Sequence, residues 1–465
     1  MRTCFLATGD TSGGCVLHTS VNHLKVLALI LALAFFLRLF FFVMALKRPD
    51  ISFMDKDSPG YITLAHNLRD AYGPSEKDIP MIHLSLVRTP IYPAFLALCE
   101  TISNSDYRGA LLAQVFLGVI VVLLVFLLAL NLFAPEAALM AALVAALDPV
   151  SIGYSLMVLT ENLFAFLFTA AFVIWWYGLA HRKLIFHALS GLLFGFATLT
   201  RPILLYFPLL LLPITLITGF SDRSKRVWKA AALLIAFAVP AGSWMAYNQV
   251  RTGSFLLSTI DGVNLLYYRA AGTMAEVDNL PIEYERQRLR EQLPDTELST
   301  PADYARLRKE QIDLAMRVLR EHPWCAIKVW IKGAWVMVRD TGWIQTLTLA
   351  GISVRGHDKP SFIFRLPAAL FSIGILYAGV VLGIIMMWVQ RARKKLLILL
   401  SVLGYFLLIS AGPEAYARFR VPIVPLLAVL SGAGWYWTYR RIRPLPSLLT
   451  SKGTARSKVS GSLRW

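Results

Sequence analysis

Residues 109–132, GALLAQVFLGVIVVLLVFLLALNL, run for 24 positions without a single acid or base. About 20 apolar residues in a helix cross the hydrocarbon core of a bilayer, and a helix satisfies its own backbone polar groups there. The stretch therefore reads as a membrane-spanning helix. Working outward, similar apolar runs recur near 24–46, 137–154, 161–180, 186–200, 203–220, 228–247, 362–389, 396–411 and 419–439. The expected fold is all-α and polytopic, with about ten transmembrane helices. The composition agrees, since 57% of the 465 residues are apolar and only 16% are charged. A mean hydropathy of +0.59 lies outside the habit of soluble domains.

The net charge of +18 could point to nucleic acid, but its distribution excludes that partner. Basic residues gather in short connections between apolar runs: HRK at 181–183, DRSKRVWK at 222–229, RARKK at 391–395 and RRIR at 440–443. Such clusters mark the cytoplasmic side of a membrane protein. With them inside, both ends of the chain are cytoplasmic, and the basic tail after Pro444 meets anionic lipid. The run 24–46 reads as a retained anchor rather than a cleaved signal, because it exceeds a signal core in length. Cys4 and Cys15 fall on the reducing side, whereas Cys99 and Cys325 fall outside, where they could pair.

This topology divides the chain into five parts. A cytoplasmic segment, 1–23, precedes an N-terminal transmembrane module, 24–247, whose first outer loop spans 47–108. An outer, α-rich and interfacial segment covers 248–361, followed by C-terminal transmembrane helices at 362–440 and the basic tail, 441–465. Within the first outer loop, TPIYPAFLALCETI is too short to cross and should form a helix along the surface. In the second, Thr300-Pro301-Ala302-Asp303 is a helix start with Thr300 as N-cap. Pro323 should stop that helix. Trp324, Trp330, Trp335 and Trp343, interleaved with Lys328, Lys332 and Arg339, suit an interfacial helix better than a span.

Charged residues on the outer side carry the chemistry. FMDKDSPGYITLAHNL, 53–68, holds Asp55 and Asp57 at a helix start beside the membrane surface. Taken alone they would be ordinary solvated acids, but the helical spacing of Ile62, Ala65 and Leu68 holds Asp57 near the interface. Arg88, in VRTPIYPAFLAL, opens the surface helix at headgroup depth. There it either holds a phosphate bidentately or snorkels to ordinary lipid. Glu161, in LMVLTENLFAF, stands at the mouth of an apolar run, where an acid is costly unless paired. It could equally be a dipole-favoured acid behind the cap Thr160. Asp148, beside Pro149, should cap or kink. Arg201, Arg251, Arg418 and Arg420 all occupy outer helix ends, against the usual charge bias. Five outer arginines, with Arg88, are what an anionic headgroup would require.

The segments MDKDSPGYITLAHNL, RTPIYPAFLAL, LMVLTENLFAF, GLLFGFATLTRPILLYFPLL, AGSWMAYNQVRTGSF and ARFRVPIVPLLAVLSGAG occur in one order. That ordered set resembles the GT-C membrane glycosyltransferases that use polyprenyl-phosphate sugars, relatives of protein O-mannosyltransferases and lipid A aminoarabinose transferases. The resemblance runs from about residue 24 to 440. It implies an essential acid in the first outer loop, best matched by Asp57 and next by Asp55, and a second acid at Glu161. It implies donor-phosphate contacts from Arg88 with Arg201, Arg418 or Arg420, and substrate contacts from Tyr61 and Arg251. The chain departs from the pattern at Asp57-Ser58, where relatives carry Asp-Glu, and at Thr89-Pro90, where they carry a proline pair.

The implied reaction moves a sugar from an undecaprenyl- or dolichyl-phosphate donor to a hydroxyl of a protein, lipid or glycan, with inversion, outside the plasma membrane. The residues single out no cofactor. A divalent cation stays open, although no outer His/Asp/Glu group has metal-ligand spacing and His83 stands alone. Membrane lipid is a partner, and nucleic acid is not. The alternative from another class is a transporter or flippase for lipid-linked sugars. It would use the same arginines but needs charges along the inner halves of the spans.

Overall fold

A computed structural model describes residues 20–47, 53–70, 79–181, 183–218, 223–294, 297–351 and 370–442. Cys4, Cys15, most of the cytoplasmic N-terminal segment, the residues 362–369 that should begin a span and the basic tail from 443 lie outside them. The described residues are helical and connecting structure. In chain order, α1 is Val21–Ala45, α2 Ser58–Arg69, α3 Ile79–Val87, α4 Ile91–Ser103 and α5 Arg108–Leu132. Then come α6 Pro135–Leu147, α7 Pro149–Ser155, α8 Glu161–Ala180, α9 Ile185–Thr198, α10 Phe207–Thr218 and α11 Arg223–Thr252. The segment expected to lie outside holds α12 Ile260–Asn264, α13 Ala271–Asp278, α14 Ile282–Glu291, α15 Pro301–Glu321, α16 Pro323–Arg339 and α17 Trp343–Leu349. The chain closes with α18 Ala378–Val389, α19 Arg393–Ser410 and α20 Val424–Ile442.

Each of the ten apolar stretches is helical where it is described. Among the described residues, six helices are long and apolar enough to cross a bilayer alone, or up to eight if two bent pairs each make one span. The difference from about ten has local causes. The stretch 137–154 is bent, with α6 and α7 meeting at 53° around Asp148-Pro149, and the runs on either side of Pro202 form the short helices α9 and α10, of 14 and 12 residues. The stretch in α19 opens on Arg393, Lys394 and Lys395, which shortens its apolar part.

The helices meet through small residues, as lipid-embedded bundles require, because packing rather than hydrophobic exclusion drives association there. A Cβ on Gly383 of α18 would lie 2.2 Å from the Leu430 carbonyl of α20. One on Gly432 would lie 2.2 Å from the Ala141 nitrogen of α6. Only glycine admits these crossings, so α20 sits between α6 and α18 with Leu426 to Ala433 in the core.

The described residues between 260 and 349 fold mainly as helices. Thr300 caps α15 in a reciprocal box with Asp303, and α15 ends at Glu321 before Pro323. In α16, Trp324 and Trp335 are 80% and 61% exposed. Lys328 and Lys332 on the same helix both reach Glu276, at 2.5 Å. Exposed tryptophans beside paired lysines suit a helix resting on lipid headgroups. Cys99 and Cys325 are free thiols, which corrects the expectation that they could pair. They lie on α4 and α16.

Candidate active site

Three connections gather at one end of the bundle. The first leads into α2. Its Phe53 carbonyl accepts from Val158 N at 2.9 Å, and Ser58 Oγ donates to the Val158 carbonyl at 2.9 Å. That ties Asp57 to the turn before Glu161. The turn itself is organised by Gln114, a fully buried amide inside the run that opened the sequence reading. Gln114 Nε2 donates to the carbonyls of Ser155 and Met157, at 3.1 and 2.9 Å. Its own carbonyl accepts from Asn162 Nδ2 at 2.6 Å, and its Oε1 accepts from Tyr92 at 3.2 Å.

The second connection is the bend of 111° between α3 and α4, which holds Arg88. Thr89 Oγ1 donates to the Thr200 carbonyl at 3.1 Å and Ile91 N to the Leu199 carbonyl at 3.2 Å. Arg88 and Arg201 are thereby brought to the same rim. The outer segment covers α3 from above. Ser258 Oγ donates to the Val87 carbonyl at 2.7 Å, and Thr259 N to the Leu86 carbonyl at 3.0 Å. The third connection is the 3-10 turn Ala417–Ile423, which carries Arg418 and Arg420.

These connections build a row of alternating charges. Arg88 Nη2 donates to Asp57 Oδ1 at 2.7 Å, and Arg418 Nη1 to Asp57 Oδ2 at 2.8 Å. Arg418 Nε and Arg201 Nη1 both donate to Glu161 Oε1. The order is Arg88, Asp57, Arg418, Glu161, Arg201. Tyrosine hydroxyls brace two of the arginines: Arg88 Nη1 to Tyr61 at 3.3 Å and Arg418 Nη1 to Tyr416 at 3.4 Å. The Arg88 guanidinium also lies 4.8 Å from the Tyr61 ring centre, and Tyr61 stands edge-on to Tyr92.

Exposure differs sharply along the row. The Asp57 side chain is 31% exposed, Arg418 9% and Glu161 0%. Asp57 begins α2 but makes no side-chain cap bond there, so its carboxylate belongs to the arginines. Burial pushes its pKa up, yet Arg418 and Arg88 outweigh burial and hold it down to about 2.

The structure thus brings together Asp57, Arg88, Glu161, Arg201, Arg418 and Tyr61. Asp55 sits beside them: its backbone N–H donates to Ser58 Oγ at 2.8 Å, and its Oδ1 accepts from Lys56 N at 2.6 Å. Two candidates from the sequence lie elsewhere. Arg420 is 1% exposed and gives Nη1 to the carbonyls of Met337, Val338 and Asp340 and to the Tyr377 hydroxyl. Turned inward on backbone oxygens, it is not placed for a donor phosphate. Arg251 donates to Ser85 Oγ at 3.1 Å and covers the Tyr247 ring, bracing α11 against α3 rather than joining the row. Asp148 caps α7, accepting from Ser151 N at 2.7 Å. Gln114, Ser58 and Tyr416 were missed by the sequence reading. Gln114 could have been found as a polar side chain inside an apolar span.

A divalent cation does not fit this donor set. The Arg418 guanidinium stands between the two carboxylates, and no group of three or more His, Cys, Asp or Glu side chains could hold a metal ion among the described residues.

Residues 87–244 match the family model described as dolichyl-phosphate-mannose-protein mannosyltransferase, a GT-C glycosyltransferase family. The matched stretch contains Arg88, Glu161 and Arg201, half of the site. No curated protein matches the sequence. Among solved structures, the chain is similar to the oligosaccharyltransferase AglB of Archaeoglobus fulgidus in complex with an inhibitory peptide and a dolichol-phosphate. That likeness has 14% identity and a TM-score of 0.52, covering 95% of this chain and 53% of that one. The apo form of the A. fulgidus enzyme gives 15% identity and a TM-score of 0.51, over 90% and 51%. The chain therefore spans about half the length of these structures. ArnT from Cupriavidus metallidurans, bound to undecaprenyl phosphate, is 13% identical with a TM-score of 0.41, over 90% and 78%. The AglB likeness shows a shared fold, and the match over residues 87–244 goes with a multi-pass integral membrane protein.

Proposed function

We propose that this protein transfers a sugar from a polyprenyl-phosphate donor to an acceptor hydroxyl on the extracytoplasmic face, inverting the anomeric carbon. The observation that carries this reading is the partly exposed Asp57 carboxylate held between two guanidinium groups. The acceptor hydroxyl attacks C1 as the C1–O bond to phosphate breaks, and Asp57 takes the hydroxyl proton. A positioned base contributes typically about 10²–10⁴-fold. The departing lipid phosphate gains negative charge, which Arg88 and Arg418 stabilise more in the transition state than in the ground state. Glu161, fully buried, touches no solvent and acts by holding Arg418 and Arg201 in place.

Charge distribution supports the face. α8 begins at the site with Glu161, and its far end is met by Lys229, which donates to the carbonyls of Gly178 and His181. α20 likewise leads from the Arg418 turn to Arg440 and Arg441. The basic clusters lie at the opposite end of the helices from Asp57, as an outward-facing site requires. A transporter would need charges lining a route between these ends. Among the described residues, Arg38 and Asp148, buried between these ends, are tied to the Ala34 carbonyl and to Ser151 N, and Arg420 to the carbonyls of Met337, Val338 and Asp340.

The test is glycosyl transfer in membranes by Asp57→Asn, Asp55→Asn and Glu161→Gln at matched expression. The expected order of damage is Asp57→Asn first, then Glu161→Gln, then Asp55→Asn. Near-normal turnover by Asp57→Asn would remove the general-base assignment.

A further inference from the structure

We propose that Asp57 is a resident counter-ion of the donor site: the donor phosphate displaces it from Arg88 and Arg418, so donor binds before acceptor and its arrival releases the base. The inference rests on the function proposed above and concerns the order of events at the same residues.

The geometry sets up a competition between two anions. Arg88 and Arg418 approach separate oxygens of one carboxylate at 2.7 and 2.8 Å, which is how paired guanidinium groups also grip a phosphate. Both arginines have other anchors and keep their places when Asp57 departs. Arg88 rests on the Tyr61 hydroxyl and ring, and Arg418 on Glu161 and Tyr416. Of the two acids in the row, only Asp57 is exposed to an incoming ligand. Its departure breaks no helix cap, because its side chain caps nothing. Exchange therefore happens at Asp57 and stops at Glu161.

Displacement changes what Asp57 can do. With both oxygens in ion pairs it is a poor proton acceptor, and the charges that keep it so are Arg418 and Arg88. A phosphate on those guanidinium groups neutralises them and adds a nearby negative charge. Both effects raise the basicity of the freed carboxylate. An acceptor arriving first would meet an occupied base, and one arriving second meets an active base.

The test is equilibrium binding of undecaprenyl phosphate to the purified full-length protein in nanodiscs, with undecaprenol as the uncharged control. Asp57→Asn and Asp57→Ala should each bind the lipid phosphate at least tenfold more tightly than the unmodified protein, with undecaprenol binding unchanged. Binding equal to or weaker than the unmodified protein, in both variants with unchanged melting temperature, overturns the displacement. Arg88→Gln and Arg418→Gln serve as the second arm. If they do not weaken lipid-phosphate binding, the phosphate site itself is wrong. If they weaken it while the Asp57 variants bind no more tightly, only the competition is wrong.

Discussion

Arg418 and Arg420 stand two residues apart on one turn, and their guanidinium groups have opposite fates. Arg418 meets carboxylates from two distant segments, one of them open to solvent. Arg420 turns inward onto the carbonyls that end α16, and so fastens the outer segment to the membrane bundle. A carbonyl cannot leave without unwinding backbone, so the Arg420 contacts are as permanent as the fold. A carboxylate can be exchanged for another anion at little structural cost. Two residues that look equivalent in ARFRVPI therefore divide into one that works on ligands and one that works on the chain.

Substitution separates the two most sharply. Arg418→Gln should reduce transfer by about 10²–10³-fold, the range seen when one transition-state donor is removed. Its melting temperature should fall less than that of Arg420→Gln. The latter leaves buried carbonyls without a donor, at about 1–3 kcal/mol for each group left unsatisfied. It should lower the yield of folded protein while the folded fraction keeps most of its specific activity. The reverse pattern, with Arg420→Gln stable and inactive, would merge the two roles.

Glu161→Gln keeps an oxygen for Arg418 and Arg201 but removes the charge. Turnover should fall by about tenfold, near 1.4 kcal/mol, and the KM for donor should rise. A positioning role predicts partial recovery in Glu161→Asp, measured as transfer at saturating donor. The pH dependence sharpens the picture further. A carboxylate held at about 2 binds its proton only in strong acid, so the acid limb of kcat/KM for donor should lie near pH 2. The corresponding limb of kcat, which reports the donor complex, should move upward toward the ordinary Asp range near 3.9 or beyond. Equal limbs would mean that donor binding leaves the arginines on Asp57. Because the folded-state value is depressed, the Asp57 ion pairs stabilise the fold above the unfolded value and are lost as pH falls toward 2. The smallest effect is expected at Arg251→Lys, which should change turnover by less than about threefold, since a lysine can still reach Ser85 and the contact lies outside the row of charges.

Much of this molecule could be read locally. The apolar runs, the capping box at Thr300 and the stop at Pro323 follow from neighbours within a few residues. Count and continuity of spans were less legible, because Asp148-Pro149 bends a run that hydropathy alone treats as whole. Gln114 shows the same limit in the site. The sequence displays a polar residue in a span, and only the fold shows that it shapes the turn before Glu161.

The sequence by itself determined a helical membrane protein with acids and arginines collected at one set of helix ends. Hydropathy and charge bias act on each segment separately, so they need no knowledge of the others. Only the tertiary structure decided which charges meet. Asp57 and Arg418 are separated by 361 positions, and Glu161 and Arg418 by 257. Their pairing depends on helix crossings held by glycines and on three connections fastened to distant segments by backbone and side-chain hydrogen bonds. No periodicity or local preference encodes which of two neighbouring arginines turns outward, because that choice is made by packing across the whole bundle.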